Sequence, residues 1–558
     1  MNKKTWILVL LFIGIGIIAI AGAYIGRRNV QFCTTEDGEV AISVQVNSYS
    51  EIIKPYYSDS DEVYYYFLPS VLCDKRICND FCETEIYIEG QEIGRYSSFE
   101  WNTEETYQME YADREIDIRF KLSSDIPVLF ISTDTGSMDM LNSDKSYQEH
   151  ADLTIIEADS TVSYSGGVYI KGRGNSTYRQ FQKKPFNIKL DEAAGLLGME
   201  ADKDWSLLAN SWDYSYMNNK LAFDMANRVG FRYVPDAEYA DVYCNGDYWG
   251  MYLVTERIEV DTERIDITDL EFQNEIVNVG SDILQAEKFD YGNKRGVLLE
   301  NIPNDITGGY LLERDYRLAP DYGKRVFTTS YFETGSYGTV FNIKSPEYAS
   351  KEEVEYISEL TSQMEQAIRS VDGYSENGKY YLDYIDLDSW VKWYMLAEIA
   401  YDLDKAATNT YIYKDADVID TKFYTGPVWD YDCRFGGTEI YSSAEELTKL
   451  SGDWFHHLYD REEFFKQICL VWDSCLKKYL QEEAYERIDS WQNLIYDSVE
   501  MDIIRWNRAS GYPQDWPSVY DGEFVDTYSF EDSVFYLKDW LNRRCEFLDD
   551  KWKLTEWR

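Results

Sequence analysis

The residues with the clearest capacity for chemistry lie between Trp390 and Gly437, where acidic and amide side chains recur at short spacing. Asp404 and Asn409 stand as D-x-x-x-x-N, and Asp430 and Asp432 follow in Trp-Asp-Tyr-Asp. Two or three carboxylates and an amide oxygen brought to one place would form a hard-oxygen site suited to Mg²⁺ and a phosphate tail, the cation offsetting the repulsion among them. The same residue types also cap helices and turns, so position decides between the two roles.

The flanking sequence supplies elements able to gather them. Trp390, Trp393, Tyr394 and Ala397 follow the i, i+3, i+4, i+7 spacing of one buried helical face, and the pattern gives out at Asp402, Leu403 and Asp404. Thr410 to Tyr413 and Lys422 to Tyr424 are short β-rich runs around a polar turn, which predicts a hairpin. Folding that hairpin brings Asp404, Asn409 and Asp430 or Asp432 to one end of a ribbon. Gly436 and Gly437 mark a sharp turn just beyond.

Protein-kinase catalytic loops use the D-x-x-x-x-N spacing. There the Asp accepts the proton of the substrate hydroxyl, the Asn holds one metal, and an Asp beyond the next hairpin holds the other. A longer likeness supports that reading. KGRGNSTYRQFQKKPFNIKL at 171–190, DWSLLANSWDYSYMNNKLAFDMANRVG at 204–230 and ADVYCNGDYWGMYLVTERI at 240–258 are followed by GGYLLERDY, FNIKSPE and WDYDCRFGG. Taken in this order, over residues 124–555, the blocks resemble the spore-coat protein H (CotH) family of atypical kinases. The resemblance implies an ATP- and Mg²⁺-dependent transfer of the γ-phosphoryl group to protein Ser or Thr, on a two-lobed kinase-like α+β domain with a helical C-terminal region. The HRD and DFG words of ordinary kinases are absent, and only the resemblance connects Asp404 and Asp430 to those roles.

In these terms Asp404 is the catalytic residue, and Asn409, Asp430 and Asp432 are the metal ligands. The nucleotide needs further contacts. Gly172 and Gly174 would let backbone amides approach a phosphate, with Arg173 adding a cation or merely marking a surface turn. The strand-like run Lys183 to Leu190 offers Lys184 or Lys189 as the strand cation, the family's Lys-Lys-Pro-Phe block favouring Lys184. Glu256 is a candidate partner for that lysine, and Tyr424 a candidate adenine-stacking face. A helical stripe of Met217, Leu221, Ala222, Met225 and Val229, ended by Gly230, carries Asn219 and Lys220 toward the cleft.

Outside this region the chain begins with Lys3 and Lys4, an uncharged apolar run from Trp6 to Ile25, then Arg27 and Arg28. Residues 1–28 therefore read as a single membrane anchor, a cleavable signal peptide being the alternative. The expected body is extracytoplasmic, with spore-coat association implied by the resemblance. Residues 31–123 alternate in short runs and predict a small antiparallel β domain, a sandwich. Residues 270–291 are acidic and polar and read as a loop or insertion. Cys73, Cys78 and Cys82 invite a disulfide or metal reading, though the three histidines lie far off in sequence.

With 54 basic against 101 acidic residues the net charge is −47, which repels nucleic acid and favours basic partners, including a basic acceptor sequence. Because ATP is scarce outside a cell, a non-catalytic surface or wall-binding protein on the same fold is the competing reading. Glycoside hydrolysis by paired carboxylates is compatible with composition alone, and the D-x-x-x-x-N and hairpin arrangement disfavours it.

Overall fold

In a computed structural model of the chain, the residues described are 29–556 except 36–37, 74, 80–81, 83, 95–96, 319–327, 336, 438–441, 451–453, 509–518, 521–522 and 525–528. The apolar run Trp6 to Ile25 lies outside the described residues. Among the described residues no helix is long and apolar enough to cross a membrane. The molecule is a mixed α+β protein whose contacts divide it into two units: 1–209 with 238–254 and 492–510, and 210–237 with 255–491 and 511–558.

In the first unit, the alternating runs early in the chain fold into two sheets of five and six strands. Phe32, Ile42 and Val44 from one sheet and Tyr66, Ile88, Ile118 and Phe120 from the other are buried in a common core. The expectation of purely antiparallel pairing is corrected here. Val63–Leu68 pairs with Arg114–Leu122 in parallel, and Asn29–Thr34 with Arg76–Cys78 likewise. Parallel neighbours need a long crossover, and so leave no local turn signal for a sequence reading to find. No disulfide joins the described cysteines.

The same unit contains a closed seven-stranded barrel, ordered Val128–Thr133, Gln148–Ile156, Val162–Gly172, Phe186–Ala194, Asp202–Leu208, Asp247–Glu256 and Ala237–Cys244. Parallel pairing of the first strand with the last closes it. Alternation does the rest: Val168 and Ile170, Ile188 and Leu190, and Trp205 and Leu207 point inward as every second residue of their strands.

The second unit is built on a seven-stranded antiparallel sheet, ordered Lys288–Asp290, Lys294–Val297, Tyr331–Glu333, Val340–Ser345, Tyr310–Arg314, Thr410–Lys414 and Phe423–Thr425. The last two strands are the predicted hairpin, with Tyr413 opposite Tyr424. The predicted helix spans Leu387–Ala400, and Trp390, Trp393, Tyr394 and Ala397 are fully buried. Asp386 caps its start by accepting from the Ser389 amide at 2.8 Å, and Tyr401 ends it in the left-handed region.

The helix expected from Asp213 onward spans Asn218–Val229 and stops at Gly230, whose φ of 74° suits glycine. Residues 270–291 are not the expected loop. Leu270–Val277 is a helix, capped by the Asp269 carboxylate on the Phe272 amide at 2.8 Å, and Lys288–Asp290 is the edge strand of the sheet. The sequence shows no apolar helical stripe there because the helix buries Asn274 beside Leu270 and leaves Phe272 and Ile276 exposed.

Candidate active site

The site is made where three elements of the second unit meet: the end of the helix Leu387–Ala400, the near end of the hairpin, and the loop from Val428 to Gly437. Asp402 and Asp404 enter it through a single turn, Leu403–Ala406, that Asp402 caps by accepting from the Asp404 amide at 3.1 Å. Asn409 sits immediately before the strand Thr410–Lys414. Its Nδ2 donates to Asp430 Oδ2 at 2.5 Å, so the hairpin brings those two residues into direct contact. Both hold left-handed backbone, with φ of 54° at Asn409 and 66° at Asp430. Asn and Asp tolerate that region better than other side chains, and strain of this kind collects at functional sites.

Asp432 lies two residues on. Burial and the neighbouring Asp430 carboxylate push its carboxyl up to about 7, against the pull of Arg434. A buried carboxyl whose ionisation a neighbouring carboxylate opposes, beside an amide, is a donor set that a divalent cation relieves, and the residues fit Mg²⁺ on that ground. The loop is fixed from below by the helix Asn218–Val229. Asn218 Nδ2 donates to the carbonyl oxygens of Asp432 (3.3 Å) and Arg434 (3.1 Å), and Asn219 Oδ1 accepts from the Tyr431 amide at 2.8 Å. Asp213 in turn accepts from the Asn218 amide at 2.8 Å. Lys220 is directed elsewhere, donating to the carbonyl of Ala237.

Asp404 is reached by a charge network. Arg434 is buried and spans two carboxylates: Nε pairs with Asp402 at 2.8 Å and Nη2 with Asp404 at 2.7 Å. Asp402 is wholly buried and also pairs with Lys405 at 3.3 Å, while Lys405 donates to the carbonyl oxygen of Trp429. Asp404 is 55% exposed, so the network leads from the interior to one accessible carboxylate. Asp315 accepts from Thr408 at 3.4 Å and holds Arg317 at 2.6 Å, and Arg317 feels the charge of Asp430.

A family model described as CotH kinase protein matches residues 170–548. The chain belongs to this family. No curated protein matches it. The CotH match takes in all of the residues just described.

The remaining expected residues have definite neighbours in their own units. Lys184 donates to the Tyr178 carbonyl at 2.5 Å with its ammonium 5.0 Å from that ring's centroid, and burial pulls its pKa down. Lys189 is largely exposed and pairs with Asp204 at 3.3 Å. Arg173 is half-buried between Gly172 and Gly174, its amide donating to the Pro185 carbonyl at 3.0 Å. Glu256 has Arg264 as its ion-pair partner at 2.6 Å and accepts from Tyr233 (3.1 Å) and the Asp236 amide (3.0 Å). The Tyr424 ring stacks on Tyr413 and carries the Arg232 guanidinium 3.8 Å from its centroid, while its hydroxyl bonds Asp420 at 2.5 Å.

Sequence reasoning did not single out Asp402, Lys405, Arg434, Asn218 or the Asp315 and Arg317 pair. The one signal available was Arg434 itself, a cation two residues after an acidic pair. Nothing in its spacing says that it reaches back to Asp402 and Asp404.

Proposed function

We propose that this CotH-family chain transfers the γ-phosphoryl group of ATP to a Ser or Thr hydroxyl of a protein. The observation that carries the reading is the Asn409 to Asp430 contact beside the raised Asp432, at the end of a hairpin entered through Asp404. Asp404 orients the acceptor hydroxyl and takes its proton as the bond to phosphorus forms, leaving ADP. Arg434 positions Asp404 by clamping it to the buried Asp402. Asn409 and Asp430 hold Mg²⁺, with Asp432 a further ligand or the support of Asp430. Mg²⁺, when bound, neutralises charge on the phosphate oxygens. Lys184, Lys189 or Arg173 is the phosphate cation, and an adenine contact at Tyr424 would require Arg232 to move off its ring. A basic acceptor sequence suits the acidic chain, and anchoring by Trp6 to Ile25 and association with the spore coat complete the proposal.

The test uses the full-length chain in detergent with Mg²⁺ and γ-labelled ATP. Asp430→Ala is expected to abolish Mg²⁺-dependent nucleotide binding. Asp404→Ala is expected to keep binding and lower transfer, autophosphorylation included, by about 100- to 10,000-fold. Lys184→Met and Lys189→Met in the same assay separate the two phosphate cations. Binding and labelling unchanged in both aspartate variants would overturn the assignment, and absence of nucleotide binding in the parent would favour the surface-binding alternative. An alkaline phosphatase fusion after Arg558 reads the topology, activity outside the cell excluding a cytoplasmic body.

A further inference from the structure

The helix Leu270–Val277 buries Leu270 and Asn274 and turns Phe272 and Ile276 to solvent. Glu271, Asn274, Glu275 and Asn278 follow i, i+3, i+4, i+7 spacing and, with Val279, residues 280–284 and Tyr348, line an open cavity of about 360 Å³. The neighbouring stripe is apolar and faces solvent: Phe272 is 56% exposed, Ile276 53%, Val279 84%, and Leu284 on the turn 61%. A surface helix ordinarily buries its apolar stripe and solvates its polar one. That exposure is why the segment reads as a loop in sequence, and a free monomer gains nothing from it.

The cavity is acidic with a mixed lining, Val279, Ile283 and Leu284 standing in it beside the carboxylates. Glu271, Glu275 and Asp282 line it, and none of them forms an ion pair among the described residues. Asn274, itself buried, gives its N–H to Glu353 at 3.2 Å and leaves Oδ1 without a partner. Burial and the carboxylates of Glu347, Asp269 and Glu275 push Glu271 up to about 7, even though the Glu347 amide donates to it at 3.1 Å. Carboxylates crowded without a cation, under an exposed apolar stripe, match a ligand that is both basic and apolar.

We propose that this groove docks a segment of a partner protein in which basic and apolar residues alternate, Lys or Arg entering the cavity and apolar side chains covering Phe272, Ile276 and Val279. Its position gives the docking a use. Thr268, just before the helix, bonds Asp415 through its amide (2.9 Å) and hydroxyl (2.7 Å), so the groove is tied to the turn end of the hairpin whose other end carries Asn409. The strand Thr410–Lys414 separates the two ends by about 17 Å, a distance that a few extended residues of a bound chain span. A cavity of this size lies at the lower end of the range of about 300–1,000 Å³ typical of ligand sites.

The proposal does not depend on phosphoryl transfer, and its test omits ATP. A labelled peptide of alternating lysine and leucine is titrated into the full-length chain in detergent, beside glutamate-for-lysine and serine-for-leucine versions. The parent is expected to bind the first peptide and not the other two. Glu271→Gln with Glu275→Gln, and separately Ile276→Ser with Val279→Ser, are each expected to weaken binding by about tenfold or more. A control pair, Glu462→Gln with Glu482→Gln on exposed helical surface, is expected to leave it unchanged. Equal binding by parent and groove variants, or an equal loss in the control pair, would reduce the effect to the overall negative charge and overturn the proposal. Adsorption to zwitterionic vesicles lost only on Ile276→Ser with Val279→Ser would assign the stripe to lipid and overturn it too. The loss must appear with unchanged thermal unfolding, and if a variant unfolds, the serine-for-leucine and glutamate-for-lysine peptides on the parent still decide.

Discussion

Each unit holds a buried lysine constructed in the same way. Lys183 in the barrel pairs with Asp502 at 2.5 Å, donates to the Met251 carbonyl, and sits 4.6 Å from the centroid of Tyr252. Lys405 in the other unit pairs with Asp402 at 3.3 Å, donates to the Trp429 carbonyl, and sits 4.6 Å from the centroid of Tyr431. An arginine joins each pair, and there they part. Arg508 approaches Asp502 at 3.6 Å and is itself buried, so all three of these charged side chains are buried. Arg434 extends its network to an accessible carboxylate. Enclosed, such a cluster locks elements together; open at one end, it fixes a reactive group against a rigid interior.

The largest effect expected from breaking the comparison is on the closed network. Asp502→Ala removes the carboxylate that favours the charged form of the buried Lys183 and the acceptor of the Met251 amide (3.0 Å), so we expect about 3–5 kcal/mol of destabilisation of the barrel unit. Chemical denaturation with a barrel tryptophan such as Trp205 as reporter measures it. Gly250→Ala should act in the same direction, because φ is +110° there and a Cβ would meet Asp502. The nucleotide binding proposed at Asp430 should survive wherever the chain remains folded. A loss of less than about 1 kcal/mol on Asp502→Ala would mean that the pair holds nothing.

The open network makes a different prediction, on rate rather than stability. Arg434→Gln frees Asp404 from its clamp, and misplacing a reacting group by about 1 Å lowers turnover on the order of 100-fold. Arg434→Lys keeps the charge but not the fork that reaches Asp402 and Asp404 together, so it should restore little. Nucleotide affinity measured alongside separates positioning from collapse. Full activity in Arg434→Lys would show that charge alone matters there.

The two networks also differ in how they could be read. In the second unit the helix to Ala400 and the hairpin are legible, because periods of 3.6 and 2 are local signals, and the hairpin brings Asn409 to Asp430 where the sequence leaves Asp430 and Asp432 as alternatives. Arg434 is not, since its partners lie 30 and 32 residues back and no periodicity links them. The barrel strands were partly legible from alternation, but closure rests on a parallel pairing between Val128 and Asp241. Lys183 went unnoticed beside Lys184 because the Asp502 that buries it is 319 residues away. The helix Leu270–Val277 is hidden by its own chemistry, because it buries Asn274 beside Leu270 and leaves Phe272 and Ile276 exposed.

The smallest effect sharpens the account of the closed cluster through pH. Asp241 is buried in the barrel unit, accepting from Tyr248 at 2.8 Å and Ser498 at 2.7 Å; burial, with Asp502 nearby, pushes its carboxyl up from 3.8 to about 6. The other titratable groups facing it are Lys183, Tyr243 and Tyr248. A carboxyl whose folded pKa is raised prefers its neutral form in the fold. Its stabilising contribution is complete below pH 3.8 and is lost as pH rises through 6. Between pH 7.5 and 5.0 the parent should therefore gain stability relative to Asp241→Asn, by about 1.4 kcal/mol for each pH unit below 6. Protection of the amides of Ala237–Cys244 from hydrogen exchange, compared between the two proteins at both pH values, reads that difference on the strand itself. If the parent instead loses protection relative to the asparagine variant on acidification, Asp241 is held ionised by Lys183. The barrel cluster would then be a shared charge network like that around Arg434, and not a closed pair with a neutral neighbour.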